Sequence, residues 1–141
     1  MRLVGLGGFL LALYVGATAA LSADLTITVQ GVRSNNGTLR LALFDSPREF
    51  PRGEKLVGHD IKALVGELTV VFEGLAAGRY ALAVHHDEND NGEMDTGLLG
   101  IPQEGFAFSN DALVFLGAPP FADAVFELPD EGRHIVIQMD Y

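Results

Sequence analysis

The sequence predicts an all-β fold, an antiparallel β-sandwich of about seven short strands in the immunoglobulin-like manner. Three observations predict it. Apolar and polar side chains alternate over several short segments, turn residues rich in Gly and Asn separate them, and nothing after residue 23 sustains helical periodicity. At 141 residues the chain has room for one compact domain. With 48% apolar and 20% charged residues it is rich enough in apolar side chains to fill a core, and it is not a disordered chain.

The first element, residues 1–23, reads as a signal peptide. Arg2 and the amino terminus form a short positive region, Leu3 to Ala23 carry no charge, and small residues crowd the end from Gly16 to Ala23. Such a run is just long enough to span a bilayer. A strand pattern rather than a basic stop-transfer cluster follows it, so cleavage is expected, with Ala19, Ser22 or Ala23 as the last residue removed and no retained membrane segment. The domain proper is then 24–141, and its expected location is periplasmic or secreted. The absence of cysteine excludes disulfides, thiol nucleophiles and an acylated-cysteine anchor.

The strands follow in order. In 25–32, Leu25, Ile27 and Val29 share one face; in 38–43, Leu39, Leu41 and Leu43 do, and Ser34-Asn35-Asn36-Gly37 between them predicts a hairpin. Residues 55–65 are expected to contain a short helical turn. Strands are expected at 67–73, with Leu68, Val70 and Phe72 inward, and at 79–86, with Tyr80, Leu82 and Val84 inward. Gly74 to Tyr80 between them resembles a tyrosine corner, in which the phenol bonds back to upstream backbone and fixes a crossover between sheets. A weaker strand is expected at 113–116, and two more at 124–128 and 134–140, with Ala124, Phe126, Leu128, Ile135, Ile137 and Met139 inward. Residues 97–110 are expected to form an ordered loop in which Phe106 and Phe108 share a face and either fill the open end of the sandwich, the favoured reading, or form a ligand patch.

The segment with the most chemistry is Asp87 to Asp95. Asp87, Asn89 and Asn91 place side-chain oxygens at every second residue, Gly92 permits a sharp turn, the carbonyl of Glu93 falls at the seventh position and Asp95 at the ninth. That pattern suits a hard cation taking six to eight oxygens, and calcium is the candidate cofactor. Leu98 stands where a helical calcium loop has its bidentate glutamate, so this is not an EF-hand. The competing reading is a turn whose Asn and Asp side chains cap their own backbone. His85 and His86 adjoin the loop but point to opposite faces of a strand and cannot readily chelate one ion together, which leaves zinc or copper binding as a minor alternative. One is expected half-buried and the other exposed. His59 and His134 are remote.

The runs Gly-Arg-Tyr-Ala-Leu-Ala-Val-His-His-Asp-Glu-Asn-Asp-Asn-Gly-Glu-Met-Asp, from Gly78, and Gly-Ile-Pro-Gln-Glu-Gly-Phe-Ala-Phe-Ser-Asn, from Gly100, resemble the bacterial family called domain of unknown function 2141 (DUF2141). The resemblance implies a secreted or periplasmic β-sandwich similar to prealbumin-like domains. It implies no activity and no catalytic residue.

A net charge of −10 is the wrong sign for a phosphate-binding surface, so no nucleic-acid partner is expected. The expected function is a non-enzymatic binding or accessory domain whose partner is an envelope protein or small ligand, with Asp87, Asn89, Asn91, Glu93 and Asp95 as the candidate metal site. A metal-free interaction domain is the alternative. A hydrolase using Asp87, Asp90, Glu93 and Asp95 ranks below both, because no nucleophile and base arrangement accompanies them and Ser109 lacks a glycine elbow.

Overall fold

A computed structural model describes residues 21–141; residues 1–20, most of the predicted signal peptide, lie outside the described residues. The chain from Leu21 onward forms eight strands: β1 (Ser22–Val32), β2 (Thr38–Phe44), β3 (Val57–Lys62), β4 (Gly66–Ala76), β5 (Gly78–Asp87), β6 (Gly105–Phe108), β7 (Phe126–Leu128) and β8 (Arg133–Gln138). A single helical turn, α1 (Phe121–Ala124), precedes β7. One sheet has the order β4-β1-β8 and the other β3-β2-β5-β6, with β7 pairing the first residues of β5. This is the all-β sandwich that the alternation predicts. Ser22 and Ala23, at the end of the segment read as a signal, belong to β1 and pair with Ala76 and Leu75.

The inward-facing sets are buried as expected: Leu25, Ile27, Val29, Leu39, Leu41, Leu43, Val70, Phe72, Leu82, Val84, Phe126, Leu128, Ile137 and Met139 meet in one core between the sheets. Each such side chain contributes roughly 1.5–3 kcal/mol by leaving water. Pairing departs from the sequence reading. β1 and β2 are not a hairpin, because β1 pairs with β4 and β8 while β2 pairs with β3 and β5. Their leucine, isoleucine and valine stripes face each other across the interior, which yields the same alternation as neighbours in one sheet. Every ladder is antiparallel except β1 with β8, which is parallel.

Three further expectations are corrected. Residues 57–62 form the edge strand β3 rather than a helical turn, since Val57 and Ile61 pack partly on the core while Asp60 and Lys62 are solvated. Gly105–Phe108 is a strand, not a loop. No strand forms at 113–116, where Leu116 and Gly117 take positive φ and Leu113, Phe115 and Leu116 are exposed. The tyrosine corner is present: the Tyr80 hydroxyl donates to the Ala76 carbonyl at 2.6 Å and ties the end of β4 to β5 in the other sheet. Burial raises the Tyr80 pKa and keeps the phenol a donor.

The outer face of the β3-β2-β5-β6 sheet is divided. At one end Phe44, Ala42, Ala81, Ala83 and Phe108 are covered by Phe50, Ala112, Phe121 and Ala124, which make a second, smaller core. Phe50 meets Phe44, Phe108 and Phe121 edge-to-face at 5.5, 5.8 and 5.9 Å. Phe108 thus fills the outside of the sheet, not the open end of the sandwich. Beyond Ala83 the same face turns polar, with His85 and Asp87 on β5 opposite Arg40 and Thr38 on β2. That polar end carries the candidate site.

Candidate functional site

Strand periodicity sends Tyr80, Leu82, Val84 and His86 into the core and His85 and Asp87 outward. Neither histidine is exposed: His85 is half-buried, and His86 is fully buried, donates from Nε2 to the Asn36 carbonyl at 2.8 Å, and meets the Tyr141 hydroxyl through Nδ1 at 2.8 Å. Arg33 lies 4.3 Å over the Tyr141 ring and pairs with Glu88, tying the C-terminal residue to the start of the loop. Gly105 is required beneath this clasp, because a Cβ there would come within 2.3 Å of the Tyr141 ring.

Asp87 is completely buried. Its Oδ1 accepts the Asn91 N–H at 3.1 Å, and its Oδ2 accepts the Gly92 N–H and Arg40 Nε–H, both at 2.8 Å. Burial works to raise the Asp87 pKa, but the Arg40 hydrogen bond, the Gly92 amide and the Arg40 charge outweigh it and leave the carboxyl below its ordinary range. Arg40 also reaches Asp60 at 2.6 Å, so one guanidinium spans β5, β2 and β3.

The loop then winds around its own oxygens. The Asn91 N–H bonds Asn89 Oδ1 at 3.1 Å, and the Glu93 N–H bonds Asn91 Oδ1 at 2.9 Å. Gly92 supplies the left-handed turn at φ 79°, and Asp90 takes φ 57° with its carboxylate accepting the Thr38 hydroxyl at 2.6 Å. The Asn89 and Asn91 amides both meet the Asp95 carboxylate, the latter at 3.0 Å. Four of the five sequence-predicted residues, Asp87, Asn89, Asn91 and Asp95, therefore belong to one hydrogen-bonded cluster. Glu93 joins it only through its backbone, and its side chain is solvated.

Glu104, which spacing alone could not place at the loop, completes the cluster. It comes from the approach to β6, is 4% exposed, and aims both oxygens at the loop. Oε1 accepts the Glu88 N–H at 2.9 Å; Oε2 accepts His85 Nε2–H at 2.7 Å and the Asp95 N–H at 3.3 Å. One ligand-type atom each from His85, Asp87 and Glu104 lie within 4.8 Å of one another. A signal for it exists in the chain, since Glu104 is the lone charge between Thr96 and Asn110. Ser109 is no nucleophile in waiting: it is fully buried, accepting the Leu82 N–H at 2.9 Å and donating to the Ala124 carbonyl.

A family described as an uncharacterized protein conserved in bacteria, DUF2141, matches residues 27–136. The chain belongs to the DUF2141 family. The match runs from β1 to β8 and takes in the whole loop and Glu104. No curated protein and no solved structure matches the chain. Among the described residues, no helix is long and apolar enough to cross a membrane.

Proposed function

We propose that this DUF2141 protein is a non-enzymatic binding or accessory domain of the bacterial cell envelope, periplasmic or secreted, in which the loop from Asp87 to Asp95 holds a calcium ion. The observation that carries the reading is Glu104. A helical calcium loop takes its bidentate carboxylate from position twelve, where this chain has Leu98, and a buried glutamate just before β6 reaches the same loop instead. The bonds from the Asn91, Gly92 and Glu93 amides to side-chain oxygens already impose the curvature that such a loop needs. Asp87 is paired with Arg40, while Asp95 and Glu104 pair with no Lys or Arg among the described residues, which leaves two carboxylates at the loop for a divalent ion. An oxygen-dominated set favours calcium over zinc or copper.

A second reading, a metal-free interaction domain, is favoured by the neutralisation of Asp87 by Arg40 and by the loop's internal bonds, which satisfy these oxygens without an ion. Thermal melts in chelator and in several millimolar calcium, with magnesium as the ionic control, separate the two. At tenfold excess over the dissociation constant, binding to the folded state adds about 1.4 kcal/mol, or roughly 4–6 °C. A calcium-specific rise that is lost in Asp95→Ala supports the first reading; superimposable melts support the second and remove the first.

A further inference from the structure

β4 ends its sheet. It pairs with β1 along one edge, and no strand among the described residues takes the other. Proteins blunt bare edges with charged side chains, lysine above all, with proline, with bulges or with very short strands, and in β4 the charges and irregularities stand only at the ends. β4 is 11 residues long, Gly-Glu-Leu-Thr-Val-Val-Phe-Glu-Gly-Leu-Ala, with neither lysine nor proline. Its centre, Leu68 to Phe72, is uncharged and rich in residues that favour strands, and Val71 is 40% exposed. Register shifts between Leu25↔Phe72 and Ala23↔Leu75, and between Val29↔Leu68 and Val32↔Gly66, leave Leu68 to Phe72 as the regular part of the edge, with Glu67 and Glu73 at its two ends.

Beside this edge the sandwich is open. A slot of about 240 Å³ lies between β4 and β3, the edge strand of the opposite sheet, lined by Val57, His59, Val71, Phe72, Glu73 and Leu75. Leu68, Val70 and Phe72 face inward, whereas Glu67, Thr69, Val71 and Glu73 face outward. Glu67 is held on that outer face by a 2.8 Å bond from Gln30.

We infer that the free edge of β4 docks an extended segment of a partner protein, in which two basic residues six positions apart flank alternating apolar residues. A strand added along β4 continues its alternation. The residues opposite Glu67 and Glu73 point outward and are drawn from Lys and Arg by charge complementarity. The residues between them that point inward enter the slot beside Phe72 and Leu75. The requirement holds for either strand direction, because only the spacing of the two glutamates sets it. A second copy of this chain fits badly: antiparallel pairing centred on Val70 puts Glu67 opposite Glu73 at both ends. The inference is independent of the calcium reading, since no residue of the loop takes part.

The test uses the purified protein and a fluorescently labelled peptide, Ser-Lys-Val-Thr-Ile-Thr-Val-Lys-Ser, followed by anisotropy in chelator and again in calcium. The expected result is saturable binding in both buffers that weakens roughly tenfold for the Glu67→Lys/Glu73→Lys double variant. A peptide with both lysines replaced by glutamate is expected to show the reverse preference, which also verifies that the variant is folded. No saturable binding, or equal binding by both proteins, overturns the inference. A concentration-dependent dimer that the peptide displaces from β4 overturns it too, in favour of self-association.

Discussion

Replacing Glu104 by alanine removes the residue that joins β6 to the loop, and the structure sets the size of the effect. The carboxylate accepts from the Glu88 amide at 2.9 Å and His85 at 2.7 Å, with a weaker bond from the Asp95 amide at 3.3 Å. Bonds to a charged acceptor contribute about 1.5–3 kcal/mol each. His85 keeps 18% side-chain exposure and can regain some water, so the low end applies to its bond and the gross loss is about 3–4 kcal/mol. Relief of repulsion with Asp87 and Asp95 offsets about 1 kcal/mol of this. A net loss of about 2–3 kcal/mol in chelator lowers the urea midpoint by roughly 1–1.5 M. Glu104→Gln keeps the shape and one acceptor and should lose about half as much. Equilibrium urea unfolding of the three proteins measures this directly. A midpoint within about 0.2 M of wild type for the alanine variant refutes the claim that Glu104 holds the loop.

Tyr80→Phe removes the 2.6 Å bond to the Ala76 carbonyl and should cost about 1 kcal/mol in the same unfolding measurement; no change would show that the corner is not stabilising. Phe50→Ala empties the centre of the smaller core, against Phe44, Phe108 and Phe121, and should cost about 3 kcal/mol; a loss under about 1 kcal/mol would mean that this cluster is a loose cover. Acid should unfold the protein through Asp87 and Glu88. Burial opposes ionisation at both, but Arg40 with the Gly92 amide, and Arg33 with Ser34, hold them below their ordinary values of 3.8 and 4.5. Their contribution is complete above those values and is lost as pH falls through the lower folded-state ones. Unfolding midpoints should therefore be little changed by these two groups down to about pH 5 and fall below about pH 4.5, less steeply in Asp87→Asn; an equal fall in that variant would contradict the assignment.

The β-sandwich was legible because alternation with period two marks which side chains are buried, and that is what Leu25, Ile27, Val29, Leu39, Leu41 and Leu43 report. Pairing was not legible, because two strands facing across a core and two strands hydrogen-bonded in one sheet bury the same residues. β3 was obscured for another reason: at an edge, Val57 and Ile61 are only partly buried and Gly58, His59 and Asp60 stand between them, so the period is blurred. In β6 the core-facing residue is the small Ala107, while the two phenylalanines that attract notice face outward. At the loop, local spacing brought Asp87, Asn89, Asn91 and Asp95 forward because their oxygens bond to amides a few residues away. Glu104, nine residues beyond Asp95 and held there by the β5-β6 pairing, stands out as a lone charge, but its place beside the loop is tertiary and spacing does not give it.

The central claim, that calcium binds the loop that Glu104 closes, is tested most directly by titrating the chelator-stripped, isotope-labelled protein with calcium and following backbone amide shifts. The account predicts one saturable transition with a dissociation constant on the order of 0.1–1 mM, with shifts concentrated at Asp87 to Asp95 and at Glu104, and no such transition in Asp95→Ala. Amides of the loop that stay unmoved at about 10 mM calcium would contradict it and leave Asp87, Arg40 and Glu104 as a purely structural network.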